Sequence, residues 1–142
     1  MEELMAYAIL LYEKIVTEAE YQERLDALFL AHPDDRMLLD LECETDIRKA
    51  VIYIRTRADY GYISLHPETF SRTLMEILKG YYAKCPDIRE FGSKMYSLWE
   101  SLPGNLQNQE PFEAFCYADN PLYWNNEAQS CSFYEIALAH YD

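Results

Sequence analysis

The sequence predicts an all-α protein: a compact bundle of about six to seven amphipathic helices forming a single helical domain over residues 1–142. Three observations predict it. Apolar residues recur at i, i+3, i+4 and i+7 along most of the chain. Capping residues and breakers divide these runs at intervals suited to helices. No stretch keeps strand alternation over the required length, although "YGYISL" has room for a short extended segment. The length of 142 residues is near the modal domain size and is enough to bury a substantial core. Half of the residues are hydrophobic, which excludes a wholly disordered chain. There is no internal repeat at 20–50 residues and no low-complexity linker.

The first run, "MEELMAYAILLYEKIV", places Leu4, Ala8, Leu11 and Ile15 at helical spacing and reads as an ordinary core helix. Glu2 and Glu3 stand where a secretory leader needs positive charge, so a signal peptide is not expected. Its apolar run stops at Glu13 and Lys14, well short of the about 20 residues of a membrane span. Thr17 with Glu20 forms a capping box for a helix through Tyr21, Leu25, Leu28 and Phe29, and "HPDD" stops it. From Asp35 to Ala58 the apolar pattern predicts either one long helix or two with a break near Glu44–Thr45. Gly61 marks a turn and Pro67 a helix start. Phe70, Leu74, Ile77, Leu78 and Tyr81 then form one face, and "KCPD" ends that helix. Asp87 with Glu90 resembles a further N-terminal cap, ahead of a stripe through Ile88, Phe91, Met95, Leu98, Trp99 and Leu102. "LPGN" reads as a turn. A short helix is expected over Pro111 to Tyr117, broken by Asn120-Pro121. Ser132 with Glu135 suggests a cap for a last helix whose face holds Tyr134, Ala137, Leu138 and Tyr141.

The formal net charge is −13, and it is unevenly spread. Residues 1–50 hold 13 acids and 5 bases, a net of −8; residues 51–94 hold 5 and 7, a net of +2; residues 95–142 hold 7 acids and no base, a net of −7. Such a field repels phosphate backbones and anionic lipids and accelerates encounter with basic partners. Neither nucleic-acid nor membrane binding is expected. The four cysteines, Cys43, Cys85, Cys116 and Cys131, form no CxxC pair and read as reduced, buried small hydrophobes in a cytoplasmic protein.

Catalytic signatures are missing from the sequence. There is no glycine-rich phosphate loop and no H-E-x-x-H. His32, His66 and His140 sit in separate segments and read as solvated or capping residues. In "DLECETD", an uninterrupted helix places Asp40 over Glu44 and Glu42 over Asp46, a spacing that suits a hard cation. A solvated acidic face is the better reading, because no Glu-x-x-His element accompanies it. No residue is assigned a catalytic or metal-binding role, no cofactor is implied, and an enzyme is not expected.

The most distinctive stretch is "PFEAFCYADNPLYW", Pro111–Trp124, with five aromatic residues, two carboxylates and no base. Phe112 and Phe115 read as core, as do Phe91 and Trp99. Tyr117, Tyr123 and Trp124 surround a turn, where burial is harder. Rigid aromatic anchors ringed by carboxylates suit an interface with a basic protein. Glu110, Glu113, Asp119, Tyr123, Trp124 and Glu127 are the candidate partner-binding residues.

A short, acidic, helical chain carrying "MYSLWESLPGN" and "FCYADNPLYW" resembles the small immunity proteins of bacterial polymorphic and contact-dependent toxin systems. The resemblance implies a cytoplasmic protein that binds its cognate toxin and neutralises it, often by covering a basic nuclease site. It carries over no particular residue. A helical adaptor or regulatory subunit, acting through a homo- or hetero-oligomeric interface, is the alternative. The oligomeric state stays open.

Overall fold

The computed structural model describes all 142 residues as nine α-helices and one 3-10 turn, with no strand. They are α1 (Glu2–Tyr12), α2 (Glu18–Ala31), α3 (Arg36–Cys43), α4 (Ile47–Asp59), α5 (Pro67–Lys84), α6 (Ile88–Ser101), α7 (Gly104–Gln107), α8 (Ala114–Tyr117), the 3-10 turn Asn120–Trp124 and α9 (Glu127–Leu138). The count exceeds the expected six to seven for two reasons. The Asp35–Ala58 run is two helices, and "LPGN" opens the one-turn helix α7 on Pro103.

Helix α1 is the centre of the molecule, with α2, α4, α5 and α6 packed around it. Leu4, Met5, Ala6, Ala8, Ile9 and Leu10 are all fully buried, so the helix is enclosed on nearly all sides, as an almost uniformly apolar helix should be. The narrower stripe expected from sequence is corrected here: Ile15 lies beyond the helix end, and Leu11 is only half-buried. The end is a Schellman arrangement, in which the Lys14 N–H donates to Leu11 O at 2.9 Å and the Ile15 N–H to Leu10 O at 2.8 Å. Lys14 takes the left-handed conformation this requires, with φ 62°.

The start of α2 is the capping box expected from sequence, with Thr17 and Glu20 bonded reciprocally. Asp35, Asp46 and Asp87 cap α3, α4 and α6 through their carboxylates, and His66 caps α5 by accepting from the Thr69 N–H through Nδ1. Glu90 takes no part in the α6 cap. The helix expected over Pro111 to Tyr117 is shorter than that: Pro111–Glu113 is turn, and only Ala114–Tyr117 is helical. The Ser132–Glu135 cap does not form. Asn126 caps α9 instead, its side chain accepting from the Gln129 N–H at 3.1 Å, so the helix begins five residues earlier than Ser132. Its buried face runs through Ser130, Tyr134, Ala137 and Leu138, and Tyr141, expected on that face, lies beyond the helix end and is half-buried.

One core cluster joins α1 to Leu74 and Leu78 of α5, Phe91 and Met95 of α6, and Phe112, Phe115 and Tyr134 of the last third. Aromatic edges knit that last region together: Phe91 to Tyr134 at 4.9 Å, Phe112 to Phe115 at 6.3 Å and Phe70 to Phe112 at 6.1 Å. No helix is long and apolar enough to cross a membrane. The four cysteines are free but not buried: Cys43 is exposed and the other three are half-buried, which corrects the expectation that they fill the core.

Candidate functional site

The aromatic turn of the last third lies against Gly92 and Arg89 of α6 and leads into α9. Three features fix it. Gly92 on α6 supplies close approach: a Cβ there would stand 3.2 Å from the Asp119 Cβ, 3.2 Å from the Tyr134 hydroxyl and 3.4 Å from Leu122 Cδ1. Pro121 and Leu122 bury the inner side of the turn. Arg89, in the first turn of α6, reaches over it. Its Nη1 donates to Leu122 O at 3.2 Å and its Nη2 to Asn125 Oδ1 at 3.0 Å, while its Nε faces the Glu127 carboxylate at 3.6 Å. Asn125 closes the turn in the left-handed region, φ 60°, a conformation its short amide tolerates.

The outer side of this fixed turn presents Tyr123 and Trp124, 81% and 64% exposed. These are large aromatic surfaces to leave in water, and their rigid mounting lowers the ordering cost of a contact. Between the turn and α6 lies a groove of about 510 Å³, lined by Arg89, Ser93, Tyr96, Asp119, Leu122, Tyr123 and Asn125. Asp119 is half-buried in its wall and makes no ion pair. Burial pushes its carboxyl above the ordinary value of 3.8, with a bond from its own backbone pulling the other way. Beneath it, the fully buried Tyr134 hydroxyl has no hydrogen-bond partner. Burial, and then the Asp119 charge, push that phenol upward.

Of the six residues selected from sequence, Asp119 and Tyr123 share this groove, and Trp124 follows on the same turn. Glu127 stands at its rim, paired with Arg89. Glu110 and Glu113 are exposed on the segment leading into α8, outside the groove lining and without an ion-pair partner. Phe112 and Phe115 are fully buried, as expected, whereas Trp99 is only half-buried and donates its indole N–H to Gln107 O at 2.8 Å. Sequence reasoning missed Arg89, Gly92, Ser93 and Asn125. Of these, only Asn125 carried a local signal, as an asparagine ahead of a helix cap.

The carboxylates of "DLECETD" do not form the stacked pairs an uninterrupted helix gives, because the helix stops at Glu44. Asp40 accepts from the Tyr53 hydroxyl at 2.8 Å, and Glu42 accepts from Gln22 at 2.9 Å. Glu44 accepts from the Asp46 N–H at 3.1 Å, and Asp46 caps α4. No three of them converge.

Compared with known protein families, with curated proteins and with solved structures, the chain matches none.

Proposed function

We propose that this chain is an immunity-type protein that binds a basic toxin domain stoichiometrically and neutralises it in the cytoplasm of a bacterium. One observation carries the reading. Two strongly exposed aromatic residues, Tyr123 and Trp124, sit on a turn fixed from below, beside a groove whose one lining cation, Arg89, is already engaged. Such anchors give contact area at low entropic cost. The surrounding carboxylates suit a partner that is itself basic, as a nuclease is where it grips phosphates. Catalysis by this chain forms no part of the proposal.

The test is co-expression of the tagged chain with the product of the gene immediately upstream, followed by co-purification at low and high salt. A one-to-one complex weakened by salt is the expected result. Absence of a complex at low salt sinks the reading.

A second reading, a helical adaptor, is favoured by a separate pair of exposed aromatics. Tyr60 and Tyr62, each 76% exposed, stand on the loop between α4 and α5, and two aromatic surfaces suit a protein that joins two others. An adaptor or self-associating subunit shows a mass that rises with concentration in the chain purified alone; a constant monomer mass counts against it.

A further inference from the structure

The groove beneath Tyr123 holds chemistry that simple aromatic contact does not require. Its walls carry two tyrosine rings, Tyr96 from α6 and Tyr123 from the turn, and between these elements lies the Asp119 carboxylate. Ser93 and Asn125 add hydroxyl and amide groups to the lining. The one cation present does not neutralise Asp119: every nitrogen of Arg89 is engaged, by Leu122 O, Asn125 Oδ1 and the Glu127 carboxylate. Arg89 and Glu127 cancel, which leaves the groove with a net charge of −1 from Asp119. An anionic occupant is disfavoured by that charge. A purely apolar one would strip water from the half-buried carboxylate and supply no counter-charge.

We propose that the groove is a receptor for one guanidinium, an arginine side chain of the bound partner, held against Asp119 and in contact with the rings of Tyr96 and Tyr123. This rests on the partner-binding reading above. Guanidinium suits the groove better than ammonium because it is planar, stacks on aromatic faces and offers a two-pronged fork to a carboxylate. Burial raises the Asp119 carboxyl, and a guanidinium held against it would favour its charged form. Glu127 acts as a positioning residue: it holds Arg89 over the turn and offsets a charge that would repel the incoming cation.

The site can be tested on the chain alone. Nα-acetyl-arginine N-methylamide is titrated into isotope-labelled protein while backbone amide signals are followed, with the citrulline and lysine analogues as controls. The arginine probe is expected to give saturable shifts confined to residues 93–96 and 119–125, the lysine analogue weaker ones and the neutral citrulline analogue none. Asp119→Asn should weaken the arginine probe by about tenfold or more, since a charge-assisted bond is lost. Tyr123→Ala, at a position too exposed to unfold the chain, should weaken it several-fold. Equal binding of the arginine and citrulline analogues overturns the assignment, as does arginine affinity unchanged by Asp119→Asn. A partner complex whose affinity survives both substitutions also overturns it, while leaving the partner-binding reading in place. Probe binding without any partner complex supports the guanidinium site and overturns the immunity reading instead.

Discussion

Glu13 is 8% exposed, at the end of α1. Its Oε2 accepts from Ser97 Oγ at 2.6 Å, and its backbone oxygen accepts from Lys94 Nζ at 2.9 Å. Burial pushes its carboxyl above the ordinary value of 4.5; the Ser97 bond and the Lys94 charge pull it down, and the Glu100 charge pushes it up. The net direction is upward, so the folded chain holds this proton to higher pH than the unfolded chain does. Between 4.5 and the folded value the native state therefore binds more protons, and stability falls as pH rises through that window. Above the folded value the penalty is complete. Glu13→Gln keeps an acceptor for Ser97 and removes the charge. The expected outcome is a urea midpoint at pH 7 equal to or above that of the wild type, with the difference closing below pH 4.5. A midpoint at pH 7 well below that of the wild type would mean that the charge itself holds α1 to α6.

At the scale of elements, what the sequence made legible was local. The Thr17–Glu20 box, Pro67 at the start of α5 and the Gly61 turn all appear where expected, because each needs only groups within four residues. The break at Glu44–Thr45 was one of two readings that periodicity allowed, and the Asp46 cap decides it. Ser132 misled because a serine three residues before a glutamate looks the same inside a helix as at its start. The groove was not legible, since Arg89 reaches groups 33 and 36 positions further along, and nothing in "DIRE" announces that. Gly92 is likewise silent, an unremarkable glycine in a helix until the turn lies on it. Gly92→Val tests that contact. Its side chain must displace the Asp119 Cβ or the Tyr134 hydroxyl, both 3.2 Å from the new Cβ position, and overpacking of this kind costs about 1–3 kcal/mol. Chemical denaturation should show a loss in that range, with faster amide exchange across residues 119–125. Unchanged stability and exchange would mean that the turn is loosely seated.

Across the whole molecule, most of the cations of residues 51–94 are engaged by other groups of the folded chain. Arg55 donates to Glu100 O at 3.1 Å, Lys94 to Glu13 O at 2.9 Å and Arg57 to the Tyr53 hydroxyl at 2.8 Å. Arg72 pairs with Glu68 and lies 4.5 Å above the Tyr141 ring, while Lys79 pairs with Asp142 and Arg89 with Glu127. The positive middle segment therefore fixes the acidic last third in place without neutralising Glu110, Glu113 or Asp119, none of which has an ion-pair partner. Two of these, Glu110 and Glu113, stand outside the groove on an exposed segment, so under the proposed binding they would act on a basic partner through their field rather than through tight contact. Rim charges of this kind govern encounter more than residence. Reversing both, Glu110→Lys with Glu113→Lys, moves the net charge from −13 to −9 and should slow association with a basic partner by about tenfold at low salt. Dissociation should hardly change, and the difference in association should shrink as salt screens the field. Stopped-flow measurement of both rates at two ionic strengths separates the cases. If the loss falls instead on dissociation and persists at high salt, Glu110 and Glu113 lie within the contact, and the interface extends from the Tyr123 turn to the segment ahead of α8.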